Sequence, residues 1–279
     1  MSTLFVVSTP IGNVEDLTPR AQRVLGEVHR VLAEDTRHTG KLLERLGVDA
    51  ELISLHAHNE ASRCLRAVEW LDGGMDLALV SDAGTPLISD PGARIVQAVL
   101  DAGHRVVPVP GASAVLGALV ASGLPAERFA FLGFVPRRGT ERRRLLDRIA
   151  TAEETLVVFE SPERLKSLLA DLVEACGPAR RVAVARELTK LHETVVRGTL
   201  DEVGRYYQEQ APRGEVTVVV EAAAAGEVPE SVDEEAARVL ARALLSEGMR
   251  PSRVAREVER RLRIPRNLAY QVVQEAKDG

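Results

Sequence analysis

The side chains that could do chemistry fall into clusters, each at the end of an apolar run. Glu34-Asp35-Thr36-Arg37-His38-Thr39 follows the run 31–33, and Ser54-Leu55-His56-Ala57-His58-Asn59-Glu60 closes the run 52–55. Ser81-Asp82-Ala83-Gly84-Thr85-Pro86-Leu87-Ile88-Ser89-Asp90-Pro91-Gly92 follows 77–80, and Ala185-Arg186-Glu187-Leu188-Thr189-Lys190-Leu191-His192-Glu193 closes 182–185. Glu34, Asp35, His56, Glu60 and Glu187 are candidate general bases, and Arg37 and Lys190 are candidate cations for a developing oxyanion. Residue types alone do not rank them. Helix caps account for Thr36 and Asn59 but not for the density of ionisable groups beside them; a solvated loop and a substrate-binding site weigh about evenly. For the alternating charges of 186–193 the plainer reading is a surface salt-bridge ladder. His56 and His58 share one strand face, yet no third ligand is specified, so a metal site is rejected.

The stretch 81–92 is the most informative. It sits at the C-terminal end of an expected strand, the edge at which open α/β sheets bind ligands. Its glycines and prolines let the backbone approach a ligand while staying stiff. Asp82 reads as functional and Asp90 as a helix cap before Pro91. Ser8-Thr9-Pro10-Ile11-Gly12-Asn13 is neither GxGxxG nor a P-loop, so a dinucleotide or nucleoside triphosphate is not indicated, and taken alone the loop reads first as a plain strand-to-helix turn. A cofactor without phosphate asks instead for an adenine slot, a ribose anchor and a carbonyl-lined pocket. In Pro110-Gly111-Ala112-Ser113-Ala114, Ser113 is equally a helix cap or a cofactor contact. Phe159-Glu160-Ser161-Pro162-Glu163-Arg164 repeats the strand-end design in the second half.

Two arginine clusters stand out. Arg137, Arg138, Arg142, Arg143 and Arg144 follow Phe129, Phe131 and Phe134; Arg250, Arg253, Arg256, Arg260, Arg261, Arg263 and Arg266 lie near the C-terminus. Charge runs are usually solvated faces. Two clusters of Arg rather than Lys on an acidic protein fit bidentate phosphate contact better, with Arg137, Arg138, Arg142, Arg143, Arg144, Arg253, Arg256 and Arg260 as RNA-binding candidates.

The elements that must position these groups alternate strand and helix. Residues 4–8, 31–33, 52–55, 77–80 and 106–109 read as strands. Between and after them come helices: one capped by Thr18 with Pro19 at its first position, one capped by Thr36 and running to 46, and others over 61–71, 91–102 and 115–121. That pattern implies a mostly parallel, helix-covered sheet. After a break at Ser122-Gly123-Leu124-Pro125 the alternation resumes. Strands are expected over 129–134, 155–159, 182–185 and 215–221, and helices over 142–150, 164–176 and 200–208. Residues 222–232 read as a linker. An all-helical tail follows, with Ser252 as a cap and Ile264-Pro265 as a break. The expected domains are 1–121, 122–222 and 233–279.

With 279 residues, 45% hydrophobic and only 3% aromatic, the chain builds its core mainly from Val, Leu, Ala and Ile. A formal charge of −5 argues against nonspecific coating of nucleic acid. Two distant cysteines, Cys64 and Cys176, give no disulfide framework and suit a reducing compartment. The charge-free run 106–126 is interrupted by Pro and Gly and reads as strand, turn and helix rather than a membrane span. No secretory leader is seen at Met1-Ser2-Thr3-Leu4, and the expected location is the cytoplasm.

Taken together, Thr9-Pro10-Ile11-Gly12-Asn13, Ala33 through Thr39, His58-Asn59-Glu60, Ser81 through Gly92, Glu160-Ser161-Pro162-x-Arg164, Ala185 through Glu193 and the segment 252–270 are specific. The chain resembles the tetrapyrrole methylase superfamily and, within it, the ribosomal small-subunit RNA (cytidine-2′-O)-methyltransferases. The resemblance implies an α/β protein of two α/β domains with S-adenosylmethionine in the cleft between them, and a homodimer. The implied reaction is methylation of a cytidine ribose in 16S ribosomal RNA of the small subunit. Implied cofactor contacts are Pro10, Ile11, Asp82, Ala83, Gly84, Thr85, Ser113 and Ala114, then Phe159, Glu160, Leu188, Gly214, Glu215 and Val216. The first loop lacks the glycine-rich form of the corrin-ring methylases, which favours RNA over a macrocycle. A macrocycle methylase, and an RNA-binding assembly factor without catalysis, are the alternatives.

Overall fold

Five short parallel strands make the first sheet: β1 (Thr3–Val7), β2 (Arg30–Ala33), β3 (Glu51–Ser54), β4 (Leu77–Val80) and β5 (Arg105–Val109), in the order β3-β2-β4-β1-β5. The computed structural model describes residues 2–56, 59–223, 234–262, 264 and 266–278. The crossovers are α1 (Pro19–Glu27), α2 (Thr36–Leu46), α3 (Glu60–Asp72) and α4 (Ala93–Asp101), with α5 (Ala114–Ser122) after β5. Alternate residues of each strand enter opposite cores, as the strand period requires. Leu4, Leu32, Leu77 and Leu79 pack with Leu71, Ile95 and Val99, while Val7, Val31, Ala78 and Val80 pack with Ala21, Leu25 and Leu43.

Local chemistry sets the helix starts. Thr18 accepts from the Ala21 N–H at 3.1 Å, and Pro19 opens α1. Asp35 rather than Thr36 caps α2, accepting from the Arg37 N–H at 2.8 Å. The start of α4 departs further from expectation. Asp90 does not cap it, and Pro91 lies outside it. The Glu60 carboxylate, buried at the first turn of α3, accepts from the Gly92 and Arg94 N–H groups, each at 3.0 Å. A cap of this kind is worth about 1 kcal/mol.

The second sheet is mixed. Its strands β6 (Phe129–Phe134), β7 (Thr155–Glu160), β8 (Arg181–Arg186), β9 (Thr194–Thr199) and β10 (Val216–Val220) lie in the order β6-β7-β10-β8-β9. Only β6 and β7 pair in parallel. Strand β9 was not expected from the sequence; it forms a hairpin with β8 at the sheet edge, and residues 187–193 are its turn. Helices α6 (Gly139–Thr151), α7 (Pro162–Cys176) and α8 (Leu200–Glu209) cover one face. On the other face, Val115, Ala118 and Leu119 of α5 pack against Val157, Ala183, Ala185 and Val219. The helix that ends the first half is therefore core for the second sheet, and Met1–Ala222 forms one compact unit.

Two partly buried arginines fasten the end of β6. Arg142 donates from Nε and Nη2 to Asp171 Oδ2 at 2.9 and 2.6 Å and from Nη1 to the Pro136 carbonyl at 3.0 Å, with its side chain 12% exposed. Arg164 donates to the Val135 carbonyl at 3.0 Å and to Ser161 Oγ at 3.2 Å, and pairs with Glu160. Arg142 is thus a clamp, which corrects its assignment to an RNA-binding patch. Arg137, Arg138, Arg143 and Arg144 are exposed.

The second unit, Ala223–Gly279, contains α9 (Glu234–Ser246), α10 (Pro251–Leu262) and α11 (Arg266–Asp278) around Ala241, Leu244, Val254, Val258, Ile264 and Val272. Ser252 lies inside α10 rather than at its cap. Arg253 and Arg256 are exposed on α10. Arg260 belongs to α10, but its side chain, Arg263, Pro265, His58 and most of the expected linker lie outside the described residues. Among the described residues no helix is long and apolar enough to cross a membrane, and Cys64 and Cys176 are both thiols.

Replacing Arg142 by Ala strands Asp171 and the Pro136 carbonyl and removes one of the two cations facing the buried Glu160. The expected loss is about 3 kcal/mol of stability, read as a lower urea midpoint. Arg143→Ala serves as the surface control and shifts stability by less than about 0.5 kcal/mol. Equal behaviour of the two variants refutes the clamp.

Candidate active site

The C-terminal ends of β1, β4 and β5 are neighbours, and their loops are pinned to one another. Thr9 and Gly84 exchange two backbone hydrogen bonds, at 2.9 and 3.1 Å. Ser8 Oγ lies 3.0 Å from Thr85 Oγ1, which donates to the Ala112 carbonyl at 3.3 Å. Thr9 Oγ1 donates to the Ser81 carbonyl at 3.2 Å. A methyl group on Gly84 would stand 3.3 Å from the Ile11 side chain, and one on Gly111 would stand 3.0 Å from Ser8 Cβ. The loops therefore pack tightly at these two glycines, and Gly84 also takes a positive φ of 77°. The expected cofactor residues Pro10, Ile11, Asp82, Ala83, Gly84, Thr85, Ser113 and Ala114 all stand on this edge. Ile11 and Gly84 are buried, Ala83 is exposed, and Ser113 also caps α5 through the Leu116 N–H at 3.4 Å.

Beside it, the end of β2 adds carboxylates. Asp82 Oδ1 accepts from the Asp35 N–H at 3.0 Å, and the Asp82 backbone N–H lies close enough to the Glu34 carboxylate to favour its charged form. Burial first, then the charges of Asp90 and Asp82, push the Glu34 pKa above its ordinary value. Asp90 is pushed up by burial and by Asp82, against a hydrogen bond from Ser81. Asp90 is thus part of this acidic group and was not foreseen as such; the sequence signal was its repetition of Asp82 within one Gly/Pro loop. Leu87 and Ser89 take positive φ, 74° and 72°, which marks the loop as held in a strained form.

The remaining candidates are committed elsewhere. Asp35 is held well below the usual carboxylate range by side-chain and backbone hydrogen bonds from Arg37, so each neutralises the other. Glu60 caps α4. His56 is exposed beyond the end of β3, with its N–H donated to Asn59 Oδ1 at 2.8 Å.

In the second half, Lys190 Nζ donates to Glu187 Oε1 and Glu215 Oε2, both at 3.0 Å, and Glu187 also accepts from the Glu215 N–H at 2.9 Å. That backbone bond foremost, then the bond from Lys190, keeps the Glu187 pKa below its ordinary value. Burial opposes charge on Lys190, but the two carboxylates outweigh it and raise its pKa. Gly214, at φ 78°, leaves the room that the Glu187 side chain fills. This turn closes on the first half: Asn13 N–H donates to Thr189 Oγ1 at 3.1 Å, and any side chain on Gly12 would collide with Lys190. Leu188 packs under α5. Val216 and Glu160 turn their side chains into the interior, leaving only backbone for a ligand. Phe159 is half-buried between Phe131 and Phe134. Among the described residues no group of three or more His, Cys, Asp or Glu is placed to hold a metal.

Residues 3–204 match the family of tetrapyrrole (corrin/porphyrin) methylases. The chain is 43% identical to "Ribosomal RNA small subunit methyltransferase I" of Synechocystis, over 98% of this chain and 97% of that one. The protein of the same name from Pseudomonas aeruginosa is 47% identical over 85% of each chain. Among solved structures, uroporphyrin-III-C-methyltransferase of Thermus thermophilus superimposes with a TM-score of 0.57 at 25% identity, covering 78% of this chain and 94% of that one. The methyltransferase CobJ gives 0.61 at 20% identity, covering 82% and 97%, and speaks for the fold alone.

The raised Glu34 pKa has a stability consequence. The folded state binds this proton more tightly than the unfolded chain, so stability falls as pH rises from the ordinary glutamate value through the folded one. Glu34→Gln removes that penalty. The variant should melt higher than the native chain above neutrality, and the gap should close as pH falls below the ordinary glutamate value. A lower melting temperature at pH 8 contradicts the electrostatic account.

Proposed function

Because this chain belongs to the tetrapyrrole (corrin/porphyrin) methylase family and shares its length with the small-subunit ribosomal RNA methyltransferases, we propose that it methylates a cytidine ribose 2′-hydroxyl in 16S ribosomal RNA from S-adenosylmethionine. One observation carries this reading over a macrocycle. The macrocycle-methylase structures are covered at 94–97% of their own length yet account for only 78–82% of this chain, whereas the ribosomal-RNA relative from Synechocystis runs along 98% of it. The additional helical unit, with Arg253 and Arg256 exposed, has a use in RNA contact and none in holding a macrocycle. The protein acts in the cytoplasm, where its substrate is, and as a homodimer on the pattern of the family.

The sheet edge fits the cofactor. Residues 8–13, 81–92 and 110–113 contain no Lys or Arg, and Glu34, Asp82 and Asp90 stand at the same edge. Such a surface suits a cationic sulfonium and repels a nucleotide phosphate. Bound there, S-adenosylmethionine supplies an electrophilic methyl group. The pinned loops 8–13, 81–85 and 111–113 keep water out and fix orientation. Glu34 takes the proton of the attacking 2′-hydroxyl. Its burial and its acidic neighbours make it a stronger base than the paired Asp35, the capping Glu60 or the lysine-bound Glu187. Asp82 holds the Glu34–Asp35 turn. The exposed Arg137, Arg138, Arg143 and Arg144 contact phosphates.

The test is transfer of labelled methyl from S-adenosylmethionine to unmodified small subunits, with nucleoside analysis of the product. We expect 2′-O-methylcytidine; label on a tetrapyrrole and none on RNA overturns the reading. Glu34→Gln should lower kcat by about a hundredfold or more, well beyond its effect on cofactor affinity, where Asp82 and Asp90 still face the cation. A variant with native turnover means that the base is another group.

A further inference from the structure

Aromatic residues are scarce in this chain, yet three of its five phenylalanines form one file: the Phe131 and Phe159 rings are 4.7 Å apart, and those of Phe134 and Phe159 are 5.3 Å apart, edge to face. Phe134 ends the file and is 58% exposed. The register between β6 and β7 shifts between Phe131 and Phe134, around Gly133 at φ 72°. This bulge re-aims the last side chain of β6 outward. It also lies at the cofactor edge, since a methyl group on Gly133 would stand 3.6 Å from Ser89 Oγ of the loop that carries Asp82 and Asp90.

The backbone beneath Phe134 is fastened on three sides. The Val135 N–H donates to the Phe159 carbonyl at 3.1 Å, Arg164 holds the Val135 carbonyl at 3.0 Å and Arg142 holds the Pro136 carbonyl at 3.0 Å. Past this anchor come the exposed Arg137, Arg138, Arg143 and Arg144, with Glu141 the one acidic residue between positions 134 and 144. An open aromatic ring on a rigid support, next to exposed positive charge and beside the reacting edge, suits a flat ring carried on a polyanion.

We propose that Phe134 is a stacking platform for a nucleobase of the RNA strand at or next to the methylated nucleotide, with Arg137 and Arg138 on the adjoining phosphates. The proposal rests on the RNA-methyltransferase reading. Stacking on Phe134 splays the strand so that a ribose, rather than a base edge, turns toward Glu34. Because the support is fixed before RNA arrives, little order is lost on binding.

The test uses the full chain with Phe134→Ala, Phe134→Leu and Phe134→Trp, measuring methyl transfer to unmodified small subunits, cofactor affinity and melting temperature. Ala and Leu should raise KM for subunits about tenfold or more while leaving cofactor affinity unchanged, and Trp should restore it. Leu keeps the apolar contact with Phe159 but has no π-face, so a Leu variant with native KM overturns the platform in favour of simple packing. Native KM in the Ala variant overturns it as well and leaves the RNA reading standing. Failure of the native chain to methylate RNA overturns both.

Discussion

Thr9 and Gly84 exchange their backbone N–H and C=O groups just beyond the ends of β1 and β4. A parallel sheet leaves such groups unpaired where its strands stop, and buried ones must find partners. Here the partners are each other, and this joins two loops that the chain separates by some seventy residues. Gly84 can enter the bridge because it takes φ 77° and presents no side chain to Ile11. With the bridge formed, Ser8 reaches Thr85, Thr85 reaches Ala112, and Asp82 reaches the Asp35 N–H. The strained Leu87 and Ser89 cost on the order of 1–3 kcal/mol each, and the loop keeps that form because it is fastened at both ends.

How legible this was in the sequence differs by the range of the interaction. Strands of the first sheet and the Thr18-Pro19 helix start were readable because their signals are local: apolar runs, Gly/Pro punctuation, a hydroxyl before a proline. Residues 81–92 were readable as a stiff strand-end loop because strand, glycine, proline and carboxylate lie together. Strand β9 was not, since at a sheet edge it carries Arg197 and Gly198 among its apolar residues and does not alternate strongly. Nor was the cap of α4. Glu60 and Gly92 are thirty-two residues apart, and no local pattern ties a glutamate on one helix to the start of the next. The packing of α5 on the second sheet was also hidden: an all-round apolar helix shows no face, so sequence placed the domain break after it while its contacts lie across that break.

The arginine cluster makes the same point about chemistry. Arg142, Arg143 and Arg144 are adjacent and identical in type, yet Arg142 is partly buried against Asp171 and the Pro136 carbonyl while its neighbours face solvent. The helical turn separates them: position 142 faces α7 and the end of β6, and the next two positions rotate away by about 100° each. Burial of a guanidinium is tolerable because three of its donors are matched. Glu160 shows the opposite balance. It has a bond from Ser161 and a pair with Arg164, but burial still pushes its pKa up, and Oε2 lacks a hydrogen-bond partner within the protein. The Glu160-Ser161-Pro162-x-Arg164 motif is therefore legible as a motif, while the inward turn of the Glu160 side chain is not. Its polar groups hold the segment from which the exposed ring and arginines project.

Charge is divided in a way that bears on catalysis. The edge formed by the loops after β1, β2 and β4 gathers Glu34, Asp82 and Asp90, while exposed arginines follow β6. On the function proposed above, a polyanion is gripped through the arginines after β6 and meets carboxylates at the sheet edge. Simple repulsion would make that arrangement wasteful, yet for a base it has a use. Each phosphate brought near adds to the like charge that already raises the proton affinity of Glu34, within a screening length of about 8 Å at physiological salt. On that proposal, Glu34 is the strongest base when RNA is in place. Too high a proton affinity would leave it protonated, so the arginines limit the rise by neutralising the phosphates that they hold. The same reasoning excludes Glu187 from this role: Lys190 and the Glu215 N–H fix it in its charged form, and a carboxylate stabilised that firmly has little tendency to take up a proton.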